Sequence, residues 1–220
     1  MSRLVGVVPA AGQATRLQPL PCSKELLRVR DRPVMDYLVE RMRTAGADEV
    51  VVVTRPEKTD VVEHALILGA HVVQGRPRSV GESLALGAKR ADGDDIVLIG
   101  FPDTVWEPAD GFSRLVAALG EHQAALGLFR TPELSRSDVV LVEDEVVRAV
   151  EVKPPSPSSD LIWGCAAVVR TALNALAEYA EPGRLFGELA ERGAVKGVYL
   201  SDSWIDIGTR EALARAGATS

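Results

Sequence analysis

The chain has 220 residues, of which 46% are hydrophobic and 25% are charged, and its formal net charge is −6. These values are typical of one globular domain that buries its own core, and the acidic balance argues against a nucleic-acid partner. No apolar stretch approaches the ~20 residues that a membrane span requires, and two distant cysteines do not indicate a disulfide framework. The apolar run at the N-terminus is too short for a signal peptide, so we expect a cytoplasmic protein, either a monomer or a small homo-oligomer.

The first hundred residues alternate between β-branched apolar runs and segments with helical spacing of apolar residues. In chain order the predicted elements are a strand over 3–9, a helix over 33–44, a strand over 49–54, a helix over 58–68, a strand over 71–74, a helix over 81–90 and a strand over 94–101. Such alternation predicts a doubly wound α/β sheet with right-handed crossovers.

The pattern changes after residue 110. The predicted elements are a helix over 111–120, a strand over 123–130, a hairpin of 139–142 with 146–152, a strand over 162–169, helices over 171–179 and 185–191, and a strand over 195–200. The sequence contains no internal repeat, and its composition does not change along the chain in a way that would mark a second domain. One α/β domain with an inserted mixed-sheet region is the simplest interpretation.

The first predicted strand leads into a loop of small residues, 10–15, which is followed by Arg16. In open α/β sheets ligands bind beyond the carboxyl ends of the strands, and small residues there let backbone N–H groups approach a phosphate. Arg16 would present a rigid fork of donors to a triphosphate. The loop matches neither GxxxxGK[ST] nor GxGxxG, so a plain tight connection is the alternative interpretation.

Two lysines and a glutamine also stand at candidate ligand positions. Lys24 follows a rigid, proline-bounded loop, and Lys153 ends a predicted strand before the loop 154–159. Each lysine could hold a negatively charged substrate, although a solvated surface lysine is the alternative for Lys24. Gln74 ends another predicted strand, and its amide offers the donor and acceptor that suit the imide edge of uracil or thymine.

Two aspartates indicate a divalent metal. Asp103 follows the most hydrophobic strand, and Asp206 lies between two isoleucines in WIDIGT. A carboxylate in apolar surroundings needs a cation or backbone donors, and paired aspartates are hard ligands suited to Mg²⁺ bound with phosphates. The alternatives are a turn or helix cap for Asp103 and a carboxylate that accepts backbone N–H bonds for Asp206.

Five segments in this order resemble the sugar-nucleotide pyrophosphorylase family of nucleotidyltransferases, most closely the glucose-1-phosphate thymidylyl- and uridylyltransferases. They are PAAGQATRLQPLPCSKELL from residue 9, QGRP from residue 74, PD at 102–103, VKP at 152–154 and WIDIGT from residue 204. The resemblance implies a Rossmann-like doubly wound mixed sheet of the nucleotide-diphospho-sugar transferase type. It also implies one domain whose first half, about 1–110, binds nucleotide and whose second half, about 111–220, binds the acceptor through an inserted sugar-binding sheet region.

The resemblance further implies an Mg²⁺-dependent enzyme that joins UTP or dTTP to a sugar 1-phosphate, with glucose 1-phosphate favoured. The roles it implies are nucleotide binding by Ala10, Ala11, Gly12, Gln13, Gln74 and Gly81, catalysis by Arg16, Lys24 and Lys153, sugar binding by Gly164 and Lys153, and Mg²⁺ binding by Asp103 and Asp206.

The sequence departs from the family pattern at three places. Ala14 replaces a frequent glycine, Val152 replaces a glutamate that commonly accepts sugar hydroxyls, and Ser79-Val80-Gly81 replaces GLA. These changes leave two alternatives open. One is a non-catalytic or regulatory module that binds a nucleotide or a sugar phosphate, and the other is an enzyme that uses CTP, GTP or a different phosphorylated acceptor.

Overall fold

A nine-stranded mixed sheet forms the centre of the computed structural model, which describes residues 2–15, 17–132, 134–208 and 210–215. In chain order the elements are β1 (Leu4–Pro9), β2 (Arg28–Val29), β3 (Arg32–Pro33), α1 (Val34–Thr44), β4 (Glu49–Thr54), α2 (Thr59–Ile67), β5 (His71–Gln74), α3 (Val80–Ala88), β6 (Ile96–Gly100), β7 (Thr104–Trp106), α4 (Gly111–Leu119), β8 (Ala124–Arg130), β9 (Val139–Glu143), β10 (Val146–Glu151), β11 (Leu161–Val169), α5 (Pro182–Glu191), β12 (Val195–Ser201), β13 (Trp204–Asp206) and α6 (Arg210–Arg215).

The strand order in the main sheet is β5-β4-β1-β6-β11-β8-β12-β10-β9. Strands β5, β4, β1 and β6 are parallel, and β11 runs antiparallel to both of its neighbours, β6 and β8. The chain winds outward from β1 through β4 to β5 and then returns to β6 on the other side of β1. The strand order therefore reverses between β1 and β6, which opens a crevice at the carboxyl ends of these strands. The predicted doubly wound α/β fold is confirmed.

Strand β1 reads as a continuous apolar run because both of its faces are buried. On one face Val8 joins a cluster with Leu38 of α1 and Phe112 of α4. On the other face Val7 joins a cluster with Leu84 of α3 and Phe186 of α5. The two helical layers hold β1 rigidly and fix the position of the loop that follows it.

The predicted helix over 171–179 is wrong. The chain instead forms two short 3₁₀ turns, Arg170–Leu173 and Leu176–Glu178. Each turn contributes one buried leucine, Leu173 in the first and Leu176 in the second. The carbonyl oxygens of Leu176 and Tyr179 lie directly against Gly81 of α3, so this packing determines the local conformation.

Several short elements were absent from the sequence prediction, among them the β2–β3 hairpin, α6 and the two-stranded ribbon of β7 with β13. Apart from these, most predicted boundaries agree with the structure to within about two residues, and the strands over 49–54 and 71–74 agree fully. Within the described ranges, no helix has both the length and the apolar character needed to cross a bilayer.

Candidate active site

A cavity of about 430 Å³ opens at the reversal point between β1 and β6. Its walls come from Pro9 at the end of β1 and residues 11–15 after it, Arg55 after β4, residues in the range 77–83 at the start of α3, residues 101–103 after β6, and Lys24. Ala11, Gly12, Gln13, Lys24 and Asp103 all line this cavity, as their predicted roles require. Arg16 lies outside the described residues.

In the loop after β1, side chains bind the carbonyl groups of three residues, while the N–H groups of three residues have no acceptor among the described residues. Lys58 Nζ donates to the carbonyl oxygens of Ala10 and Gly12 at 2.8 and 3.1 Å, and Arg55 Nε donates to the Ala11 oxygen at 2.9 Å. The described residues supply no acceptor to the amides of Ala11, Gly12 and Gln13. Successive free amides of this kind form an anion-binding concavity.

Ala10 differs from its neighbours in the loop. Its side chain is fully buried, and its amide donates to the carbonyl oxygens of Val53 at 2.8 Å and Val8 at 3.1 Å. Ala10 therefore anchors the loop to β4 and does not offer its own N–H to a ligand.

Ala14 holds a left-handed backbone conformation, with φ at +50°. This conformation costs a residue with a Cβ about 1 kcal/mol relative to glycine. The departure from the family glycine at this position therefore places an alanine at a site where the backbone needs glycine-like freedom.

Asp103 and Asp206 lie side by side, although 103 positions separate them in the sequence. The β7–β13 ribbon pairs Thr104 with Asp206, and the amide of Ile207 donates to the Asp103 carbonyl oxygen at 2.9 Å. Lys24 Nζ donates to Asp103 Oδ2 at 2.5 Å. One cation and two carboxylates therefore meet at the edge of the cavity.

The three charges perturb one another. The surrounding protein withdraws Asp206 from water, and together with the negative charge of Asp103 this raises the pKa of Asp206 to about 6. Burial alone would lower the pKa of Lys24, but the charge of Asp103 and the hydrogen bond to it more than offset that effect and raise the pKa. Because the carboxylates of Asp103 and Asp206 repel each other, binding of a cation beside both is favoured.

The donor set fits Mg²⁺. Magnesium in nucleotide-dependent enzymes is bound through one or two carboxylates together with substrate phosphates, and it keeps several waters. Asp103 and Asp206 provide the two carboxylates at the edge of the cavity. Within the described ranges, no group of three or more His, Cys, Asp or Glu side chains is arranged around a metal position.

Gly164 accommodates an aromatic ring. A Cβ at residue 164 would lie 2.1 Å from Cζ3 of Trp204, the first residue of β13. The structure therefore places Trp204 against the glycine where the resemblance implied space for a sugar. Gly164 allows β13, and with it Asp206, to pack closely onto β11.

Lys153 lies two residues after β10 in a left-handed conformation, with φ at +44°, and its side chain forms an ion pair with Glu181. Asp138 and Trp163 lie beside it: Trp163 Nε1 donates to Asp138 Oδ2 at 3.2 Å. Burial raises the pKa of Asp138, and its Oδ1 atom has no hydrogen-bond partner among the described residues. The Trp163 ring also packs 5.4 Å from that of Phe101, which lines the cavity.

The structure does not bring Gln74 or Gly81 to the cavity wall. Gln74 is exposed at the end of the edge strand β5, and it is not among the lining residues. Gly81 packs against the 3₁₀ segment, where a Cβ would lie 1.9 Å from the Tyr179 carbonyl oxygen. Ser79 and Val80 line the cavity at the start of α3 instead.

Sequence reasoning missed Arg55, Lys58 and Glu25. One signal was present, because the chain has five lysines against twenty arginines, and Lys58 is one of those five. Each position occupied by a residue type that is rare in the chain is a candidate for a specific role. The partner of Lys58 is Glu25, 33 positions away in the sequence, and no local pattern links the two.

The model of the MobA-like NTP transferase domain matches residues 6–185. The chain belongs to this family. Relatives of this chain include a glucose-1-phosphate thymidylyltransferase of Neisseria gonorrhoeae, which is 26% identical over 97% of this chain and 81% of the relative. A UTP–glucose-1-phosphate uridylyltransferase of Klebsiella pneumoniae is 25% identical over 100% of this chain and 92% of the relative.

Solved structures show the same fold. A Bacillus anthracis protein described as a glucose-1-phosphate thymidylyltransferase superposes with a TM-score of 0.85 at 20% identity, covering 97% of this chain and 93% of that one. A UDP-glucose pyrophosphorylase from Acinetobacter baumannii gives a TM-score of 0.78 at 18% identity, covering 98% and 92%. The expected family and the nucleotidyltransferase class are confirmed.

Proposed function

We propose that this MobA-like family member transfers the nucleotidyl group of UTP or dTTP to a sugar 1-phosphate, with glucose 1-phosphate the first acceptor to test, and releases pyrophosphate. The main support for this proposal is that Lys24, Asp103 and Asp206 lie together beside the loop after β1, at the point where the strand order reverses. The relatives named as glucose-1-phosphate nucleotidyltransferases support the choice of substrates.

The reaction proposed is in-line attack by a phosphate oxygen of the sugar 1-phosphate on the α-phosphorus of the triphosphate. That oxygen is ionised near neutral pH, so the site needs no general base. Catalysis then consists of positioning and charge neutralisation. The amides of Ala11, Gly12 and Gln13 would bind phosphate oxygens, and Lys24 would offset the charge that moves onto the leaving pyrophosphate.

Asp103 and Asp206 would hold Mg²⁺, which when bound neutralises phosphate charge near the α-phosphorus. Lys153 would align the sugar phosphate, and Arg16 would bind the triphosphate. The division into a nucleotide half and an acceptor half follows the same scheme, since Lys24 and Asp103 belong to the first half and Lys153 and Asp206 to the second.

A second candidate is the same reaction type with CTP, GTP or another phosphorylated acceptor. Two observations favour it. Gln74, the predicted reader of the uracil or thymine base, lies away from the cavity. Val152 stands where the family commonly has a glutamate that accepts sugar hydroxyls, and the nearby carboxylate with an unpaired oxygen belongs to Asp138 instead.

Pyrophosphate release tests the proposal. The protein is incubated with Mg²⁺ and each of the five common triphosphates against glucose 1-phosphate and several other phosphorylated acceptors. Release with UTP or dTTP and a sugar 1-phosphate supports the first candidate, and release with CTP or GTP alone supports the second. A folded protein that binds a triphosphate and releases nothing across the whole grid would favour a non-catalytic binding module.

A further inference from the structure

A buried ion pair lies behind the loop that follows β1. Lys58 Nζ donates to Glu25 Oε2 at 2.6 Å, and the side chains of Glu25 and Lys58 are 0% and 12% exposed. Removing two charges from water is costly, and apolar residues of similar volume often stabilise a fold as well or better. Stability alone therefore gives a weak reason for this pair.

Lys58 also fixes the direction of the loop peptides. Its ammonium binds the carbonyl oxygens of Ala10 and Gly12, while Arg55 binds that of Ala11. In a planar trans peptide the N–H of the next residue points opposite to the carbonyl. The carbonyls of Ala10 and Gly12 are held toward Lys58, so the N–H groups of residues 11 and 13 point away from that ammonium, and Arg55 orients the N–H of residue 12 through the Ala11 carbonyl.

Glu25 fixes a second group. It follows Lys24 in the 3₁₀ turn Lys24–Leu26, and the two side chains bind different partners. Glu25 is held behind the loop by Lys58, while Lys24 reaches Asp103 at the edge of the cavity. The pair therefore sets the position of both the loop amides and the Lys24 ammonium.

We propose that Glu25 and Lys58 are positioning residues for the triphosphate, acting through the amides of residues 11–13 and through Lys24. This inference rests on the proposed function. In this role neither Glu25 nor Lys58 touches the substrate. Arg55 supports the same loop by binding the carbonyl of Ala11.

The test compares single and double substitutions. Lys58→Met leaves a buried carboxylate unpaired, so its instability would say little about positioning. The double variant Glu25→Gln/Lys58→Met removes both charges and keeps similar volumes. Its melting temperature is expected to lie near that of the wild type, while its affinity for dTTP and UTP with Mg²⁺, measured by calorimetry, falls about 10- to 100-fold because displaced groups bind poorly.

Lys196→Met is the matched control, because Lys196 forms an ion pair with Glu145 on the far part of the sheet. It should bind both triphosphates as the wild type does. In turnover, the double variant should show a raised KM for the triphosphate with an unchanged KM for the sugar phosphate. Should the double variant not fold, Glu25→Leu/Lys58→Met, which fills the site with apolar groups, replaces it.

A folded double variant that binds the triphosphates with wild-type affinity would overturn the positioning role and leave the proposed function intact. A wild-type protein that binds neither dTTP nor UTP, nor any other nucleoside triphosphate, would overturn the proposed function itself, and the positioning role with it. The two failures are therefore distinct.

Discussion

Replacing Gly164 by alanine should damage the candidate metal site from a distance. The added methyl group would lie 2.1 Å from Cζ3 and 2.4 Å from Cη2 of Trp204. Carbon atoms in contact are about 3.5 Å apart, so the ring must withdraw by about 1.4 Å. The centroid of the Trp204 ring also lies 4.9 Å from that of the Phe129 ring, which leaves little room for Trp204 to move.

Overpacking of this kind costs about 1–3 kcal/mol. For a chain of this size each kcal/mol lowers Tm by about 2–4 °C, so a fall of about 2–12 °C is expected in a thermal melt. Because Trp204 begins β13 and Asp206 ends it, the displacement should also weaken Mg²⁺ binding, measured by calorimetry in the presence of the triphosphate.

Gly187→Ala in α5 is the matched control, since its methyl group would meet the Val150 carbonyl oxygen at an ordinary 3.5 Å. Adding Trp204→Phe to Gly164→Ala should recover part of the stability, because the smaller phenyl ring leaves room for the added methyl group. A Gly164→Ala protein with an unchanged Tm and unchanged Mg²⁺ affinity would refute the claim that the glycine exists to admit Trp204.

Three further predictions follow from single side chains. Because the folded-state pKa of Asp206 is about 6, Mg²⁺ affinity measured by calorimetry should fall about tenfold from pH 7.5 to pH 5 as the carboxyl takes up a proton; a flat profile would contradict this. Ala14→Gly should change the free energy of unfolding by at most about 1 kcal/mol, in the stabilising direction, because it relieves the left-handed strain; denaturant titration checks this, and clear destabilisation would oppose it. The raised pKa of Asp138 means that its ionisation costs stability as the pH rises through the interval between its unfolded and folded values. Asp138→Asn should therefore gain stability relative to the wild type at pH 8 and not at pH 4, and equal effects at both pH values would count against the buried charge.

The sequence predicted the parallel half of the sheet well because those strands are buried on both faces. Such strands appear as uninterrupted apolar runs, and residues that follow them must lie at one edge of the sheet. That reasoning was sufficient to place Gly12 and Asp103 at the same cavity.

The rest of the site depends on contacts that local patterns do not encode. Strands β7 and β13 have three residues each, and the pairing of Thr104 with Asp206 joins positions 102 apart. Three-residue strands give no usable alternation, so the sequence suggested the two aspartates as paired ligands but did not predict the strand pairing that brings them together. Likewise Gly81 and Gly164 read as family glycines with ligand roles, whereas each accommodates a neighbour, a carbonyl group in one case and an indole ring in the other.

Single-turnover pyrophosphate release by Asp206→Asn, compared with Asp202→Asn, is the sharpest test of the two-aspartate metal site. Asp202 is an exposed aspartate four positions earlier that accepts a hydrogen bond from Tyr199, so it controls for charge without touching the site. We expect Asp206→Asn, still folded, to lose about 10²- to 10³-fold in rate while Asp202→Asn stays near the wild type. Near-normal release by Asp206→Asn would contradict the claim that the paired aspartates hold the catalytic cation.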